Sequence, residues 1–276
     1  RALSPHPAGA RADHTALGDH AGLSGPTGFQ HTIVGGLAGD ALTEGKNNVA
    51  IGYSALTAET HGERNVAIGI FALGNQVNNS DVDTYNVAVG YNAGYAVTTG
   101  TNNTIIGGLA GDALTTGVRN VAIGKGALSA EDTGSYNVAI GESALTDQNV
   151  DNAYNVAVGY HSGLSVTTGI YNVIMGGLAG DALTTGNNNV VMGYEALSTE
   201  DTTGGVVAIG YRALKFQNAD STSYNTAVGY QAGENVTNGS HNVIVGGLAG
   251  DALTTGSNNV AIGRSALTTE DTGSRN

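Results

Sequence analysis

Cysteine and tryptophan are absent from this chain of 276 residues, proline occurs three times, and only 12% of the residues are charged. Without cysteine there is no disulfide, no thiolate zinc site and no thiol nucleophile. Ten Lys and Arg stand against 23 Asp and Glu, for a net charge of −13. That balance argues against nucleic acid as a partner, because neutralising phosphates takes a basic stripe. It disfavours anionic membrane surfaces for the same reason. No apolar run reaches the roughly 18 residues that a membrane-spanning helix needs, so no direct membrane insertion is expected of this segment. No secretory signal is visible. Arg1-Ala2-Leu3 matches the middle of a later repeat, Arg212-Ala213-Leu214, so a segment of a longer protein is expected.

What the chain does have is glycine, 44 residues of it, and repetition. The unit Asn48-Val49-Ala50-Ile51-Gly52 returns in near-copies starting at Asn65, Asn86, Asn103, Asn120, Asn137, Asn155, Asn172, Asn189, Asn225, Asn242 and Asn259. Degenerate copies start at His14, His31 and Val206, and Asn276 opens another, with most steps being 17 residues. Repetition at so short a period means one structural unit stacked on itself. Within the unit, Val49 and Ile51 alternate with Asn48 and Ala50. Alternation with β-branched residues reads as a short strand. The glycine four residues after each start, and a second one three residues before most starts (Gly45, Gly62, Gly117, Gly256), mark turns or close backbone approach. Strand, glycine corner, a short Ala-Leu strand and a Thr-Thr-Gly turn make one coil of an all-β β-solenoid of about sixteen coils. Residues 1–30, with Pro5, Pro7 and Pro26, read as degenerate N-terminal coils, and residues 31–276 as the regular repeats of the same continuous domain. At about 4.8 Å per coil the stack is a rod of roughly 70 Å. The starting Asn residues are expected to form an amide ladder up the column.

A longer period overlies the first. Gly35-Gly36-Leu37-Ala38-Gly39-Asp40 recurs at Gly107, Gly176 and Gly246, so four coils make a super-repeat of about 70 residues. In these Gly-Gly coils the Ala50 position becomes Ile33, Ile105, Ile174 or Ile244, and the Tyr53 position becomes glycine. A larger residue matched by a smaller one reads as volume compensation. The third coil of each super-repeat is lengthened, in turns 74–85, 146–154 and 215–224, with Ser4–Asp13 in the same slot. Insertions in solenoids map to loops on one face, often the binding face. The candidate contact residues are therefore Gln76, Asn78, Asn79, Asp81, Gln148, Asn149, Asp151, Gln217, Asn218 and Asp220.

The Asn-Val-Ala-Ile-Gly unit, its glycine corner and the trailing Ala resemble the head repeats of YadA-like trimeric autotransporter adhesins and the related repeats of phage tail-fibre shafts. The resemblance covers residues 14–276. It implies a left-handed parallel β-roll, three chains side by side, and an extracellular place on a bacterial cell surface or a virion tail fibre. Family heads repeat nearer 14 residues with Ser between Asn and Val, and the anchor, stalk and chaperone of such fibres are not in this segment. Oligomerisation is also expected from the residues themselves. If Val and Ile fill the coil, the Ala face is left to pack on symmetry mates, and Ala139→Arg would then block assembly.

No phosphate loop, nucleophile elbow or zinc-protease motif occurs, so the chain is not expected to be an enzyme. Asp40, Asp112, Asp181 and Asp251 recur once per super-repeat, as do Glu59, Glu131, Glu200 and Glu270. In a trimer three such carboxylates could meet and hold Ca²⁺; the bland alternative is a solvated acidic turn, with no cofactor. The leading function is a structural and adhesive fibre segment binding an unknown surface receptor or glycan. The alternatives are a spacer without ligand, an ice-binding solenoid, and an acyltransferase, whose three apolar corners per coil this chain lacks.

Overall fold

The structure is a computed structural model that describes residues 14–24, 27–219, 221–269 and 271–276. The Ser4–Asp13 turn, Asp220 and Glu270 lie outside the described residues. The described chain is an all-β parallel β-solenoid of about 14 turns of about 17 residues, with no helix among the described residues and hence none to cross a membrane. It divides into two compact units, Arg1–Tyr136 and Asn137–Asn276.

In the first unit seven three-residue strands follow one another: Thr15–Leu17, Thr32–Val34, Val49–Ile51, Val66–Ile68, Val87–Val89, Thr104–Ile106 and Val121–Ile123. Each pairs in parallel with the next, Val49 opposite Val66 and Ala50 opposite Ala67. The second unit repeats the arrangement with eight strands, from Val138–Ile140 to Val260–Ile262. Each of these three-residue strands opens one residue after a repeat start. The short Ala-Leu strand expected after the glycine corner is instead a turn, because alternate residues there take positive φ: Gly52 at 135°, Ser54 at 52° and Leu56 at 53°.

The faces of the strand are the reverse of the expected assignment. Ala50, Ala67, Ala88, Ala139 and Ala157 are fully buried, as are the ladder asparagines, while Val49, Ile51, Val66 and Ile68 are half exposed. The buried Asn decides the parity. Its amide needs partners inside the coil, and the residue two further on must share its face. With Asn inside, the space beside it in so narrow a coil admits Ala. Leu56, Leu73, Leu128 and Leu145 fill the rest from the turn segment. Ala139→Arg would therefore break the coil's interior and would not act as a selective probe of assembly.

The exchange in the Gly-Gly coil is likewise internal. A Cβ placed on Gly111 would lie 3.6 Å from Ile105, one on Gly180 3.5 Å from Ile174, and one on Gly250 3.3 Å from Ile244. The isoleucine thus occupies the space that Leu56, Leu73, Leu128 and Leu145 fill in their own coils. Gly108, at the Tyr53 position, has nothing within 4 Å of such a Cβ and takes no part.

Candidate functional site

The buried asparagines are the scaffold on which the turns hang. Asn172 Nδ2 donates to the Gly186 carbonyl at 2.9 Å, and its Oδ1 accepts from the backbone N–H of Asn189 at 3.0 Å. The same pair of bonds recurs through Asn86, Asn103, Asn155, Asn242 and Asn259. Asn48, Asn120 and Asn225 also donate to the carbonyl 14 residues on, and Asn189 to that of Thr203. Asn137 Oδ1 accepts from Asn155 at 3.2 Å. The column thus runs from side chain to backbone; the amide-to-amide form occurs at Asn65–Asn48, 3.1 Å. The glycine before most starts belongs to this bonding, since its carbonyl is the acceptor and a Cβ on Gly186 would meet Asn189 Nδ2 at 3.1 Å.

His31 replaces Asn in the column. Its Nδ1 accepts from Asn48 N at 3.3 Å, and its ring stacks on His14 with centroids 4.9 Å apart. Burial, then the neighbouring His14, lowers its pKa from 6.5 to about 4, against weaker opposing bonds to the Gly45 and Asn48 backbone. The unfolded chain binds this proton more readily between about pH 6.5 and 4, so stability falls as pH drops through that window. A loss of at most about 3 kcal/mol is expected, confined to the first coils. Amide protection factors at residues 31–49, corrected for the intrinsic pH dependence of exchange, should fall between pH 7 and 4.5, and His31→Asn should remove the fall.

Eleven residues after each start lies a second buried column, and it carries the four-coil period. It reads Leu42, Glu59, Gln76, Val97 and then Leu114 and Glu131 in the first unit, and Gln148, Val166, Leu183, Glu200, Gln217, Val236 and Leu253 in the second. All of these are fully buried. Glu59 accepts from the backbone N–H groups of Thr60, His61, Gly62 and Asn78 at 2.7–3.1 Å, and from the Gln76 and Asn78 side-chain amides at 2.8 and 2.9 Å. Glu200 is held in the same way by Thr202, Thr203, Gln217 and Ala219. Gln76, Gln148 and Gln217 in turn accept from the ladder residues Asn86, Asn155 and Asn225. These glutamates are therefore not solvated turn acids. They anchor the base of each long turn.

This places the expected contact residues in two groups. Gln76, Asn78, Gln148 and Gln217 are buried and serve the anchor, so they are withdrawn as contact residues. Asn79, Asp81, Asn149, Asp151 and Asn218 are exposed at the tips. In the first unit the tip is clamped: Lys46 reaches Glu63 at 2.8 Å and Asp81 at 3.3 Å, and Arg64 pairs with Glu63 and Asp83 while its guanidinium lies 5.5 Å from the Tyr85 ring centre. A small pairing of Gly62–Glu63 with Val82–Asp83 completes it. In the second unit Glu195 binds Arg212 and Lys215, which hold its carboxyl below the usual range.

Asp40, Asp112, Asp181 and Asp251 are half buried. Asp40 accepts from Thr57 at 2.5 Å, and burial raises the pKa of Asp112 and Asp181. Among the described residues no three His, Asp or Glu converge as metal ligands. No protein-family model, curated protein or solved structure matches the chain.

Proposed function

We propose that this chain is a structural and adhesive segment of an extracellular fibre, on a bacterial surface or a phage tail. In this reading three copies lie side by side as left-handed rolls, and the exposed turn tips meet a surface receptor or glycan. The observation that carries it is the outward strand face. Val49, Ile51, Val66, Ile68, Val87 and Val89 form an in-register apolar stripe that one chain leaves half exposed, and Val138 to Ile262 do the same in the second unit. An extended apolar face of this kind marks an interaction surface. Because every copy carries the same stripe, packing among copies of the chain covers it. The number three comes from the resemblance to the adhesin heads.

The double variant Ile140→Glu, Val158→Glu is expected to yield a β-rich single chain by light scattering and circular dichroism, since both side chains point outward. Loss of the β signal together with assembly would place these residues in the core and overturn the assignment. Adhesion is tested separately by scrambling 149–152, which should abolish attachment to cells while the melting temperature holds. Unchanged attachment after altering every exposed tip leaves the spacer reading. Ice binding draws less support: the exposed threonines run in a single file of three coils, as Thr168, Thr185 and Thr202, before a long turn breaks it.

A further inference from the structure

Among the described residues, the residue before each repeat start takes a left-handed conformation, and several of these side chains pack on the one in the next coil. In the first unit Arg64 covers Tyr85 and Arg119 covers Tyr136, each 5.5 Å from the ring centre. In the second unit Tyr154 stacks on Tyr171 at 5.7 Å, and Tyr224 lies 5.5 Å from His241. Gly205 interrupts this column. Its φ of 70° does not explain the glycine, because Arg64 holds 61° at the equivalent place and Tyr136 65°. What the glycine changes is space. A Cβ there would sit 2.8 Å from Cδ1 and 3.0 Å from Cε1 of Tyr224.

The Tyr224 ring takes that space, and beside it lies an open depression of about 380 Å³, lined by Asn187, Asn188, Thr202, Gly205, Thr222 and Tyr224. That volume falls in the small-ligand range of about 300–1,000 Å³. At the equivalent place in the first unit, Arg64 and its ion pairs with Glu63 and Asp83 stand instead. The lining carries no charged side chain, so an anion or cation would find no counter-charge. It does offer one aromatic wall, Tyr224, at 59% exposure. Beside it are the Asn188 amide and the hydroxyls of Thr202 and Thr222. Asn187 Oδ1 is committed to Ile170 N at 2.7 Å, which fixes that side chain and leaves its Nδ2 as a donor. A ring with apolar C–H groups on one face and hydroxyls around its rim matches this set.

We propose that the depression beside Gly205 binds a neutral hexopyranose unit of a glycan, with Tyr224 against its C–H face and Asn188, Thr202 and Thr222 on its hydroxyls. The assignment rests on the adhesive reading of the exposed turns and names the chemistry of one contact.

The test is saturation-transfer NMR on the full 276-residue chain with the methyl glycosides of glucose, galactose, mannose and N-acetylglucosamine. Transfer to the ring C–H protons of at least one glycoside is expected, retained in Tyr224→Phe. It should fall about tenfold or more in Tyr224→Ala and in Gly205→Arg, which places in the slot the side chain that the first unit has there. No transfer from any of the four, or transfer indifferent to both variants, overturns the site. Cell attachment measured on the same preparations separates the two ideas. Attachment that depends on the 149–152 tip without glycoside transfer ends the slot proposal and leaves adhesion standing. Attachment indifferent to every tip ends the adhesive reading, and the variant-sensitive NMR signal still decides the slot.

Discussion

Gly193→Ala is expected to cost more than about 4 kcal/mol and to melt the coils around it. Gly193 has φ of 136°, and a Cβ there would lie 2.3 Å from the Gly210 carbonyl oxygen and 2.6 Å from its carbon, both backbone atoms of the next coil. No rotamer change relieves such a contact, because the obstacle is the neighbouring main chain. Its own N–H donates to Met175 O at 2.8 Å, so moving the corner away breaks the inter-coil bonding that makes a solenoid stable. Gly177, on the preceding coil, is the control. Its φ is not in the left-handed region, and a Cβ would meet only the Tyr194 ring at 3.6 Å. Gly177→Ala should change stability by no more than about 0.5 kcal/mol. Urea unfolding followed by circular dichroism, at one fixed protein concentration, compares the two. Equal midpoints would show that the corner does not need its glycine.

Glu59→Ala should destabilise the first unit by roughly 3–5 kcal/mol, since six donors lose a common buried acceptor and two of them belong to side chains locked inside the coil. The turn from Gly74 to Tyr85 should open first, because Gln76 and the Asn78 backbone and side chain are the bonds that seat its base. Amide exchange at residues 76–84 then rises far more than at the strands Val49–Ile51 and Val66–Ile68. Glu59→Gln should fall between, as its amide keeps one acceptor oxygen and turns the other end toward existing donors. A Glu59→Ala protein whose turn exchanges as slowly as wild type would mean that the clamp of Lys46 and Arg64 alone holds the turn.

The period carried most of the fold. Each of the fifteen three-residue strands opens one residue after a recognisable start, because the strand, the corner and the ladder are set by the same five residues. The corner glycine was legible as a backbone requirement, and its φ and close neighbour show the cause. Which face turns inward was not legible from alternation, which fixes only that Ala and Val oppose each other. The larger apolar residue is the usual interior choice, but a buried Asn shares its face with Ala, and its hydrogen bonds outweigh the larger burial that Val would gain. A signal did exist for the anchor. Glu59 and Gln76 occupy the position held by Leu42 and Val97 in the flanking coils, and an acid at an offset otherwise aliphatic points inward with partners. The turn after the corner left no such signal, since Leu56 and Leu73 take positive φ that no leucine advertises. The depression beside Gly205 is visible in sequence only as one glycine in a column otherwise filled by Tyr, Arg, Asn, Gln, His and Asp.

The most direct test of the assembly claim is the solution mass of the purified chain by light scattering, taken with its circular dichroism. The outward Val and Ile face predicts a β-rich particle of more than one chain, and the proposed fibre reading sets it at three, about three times 27.6 kDa. A β-rich, stable particle of 27.6 kDa that leaves this face in water would contradict it.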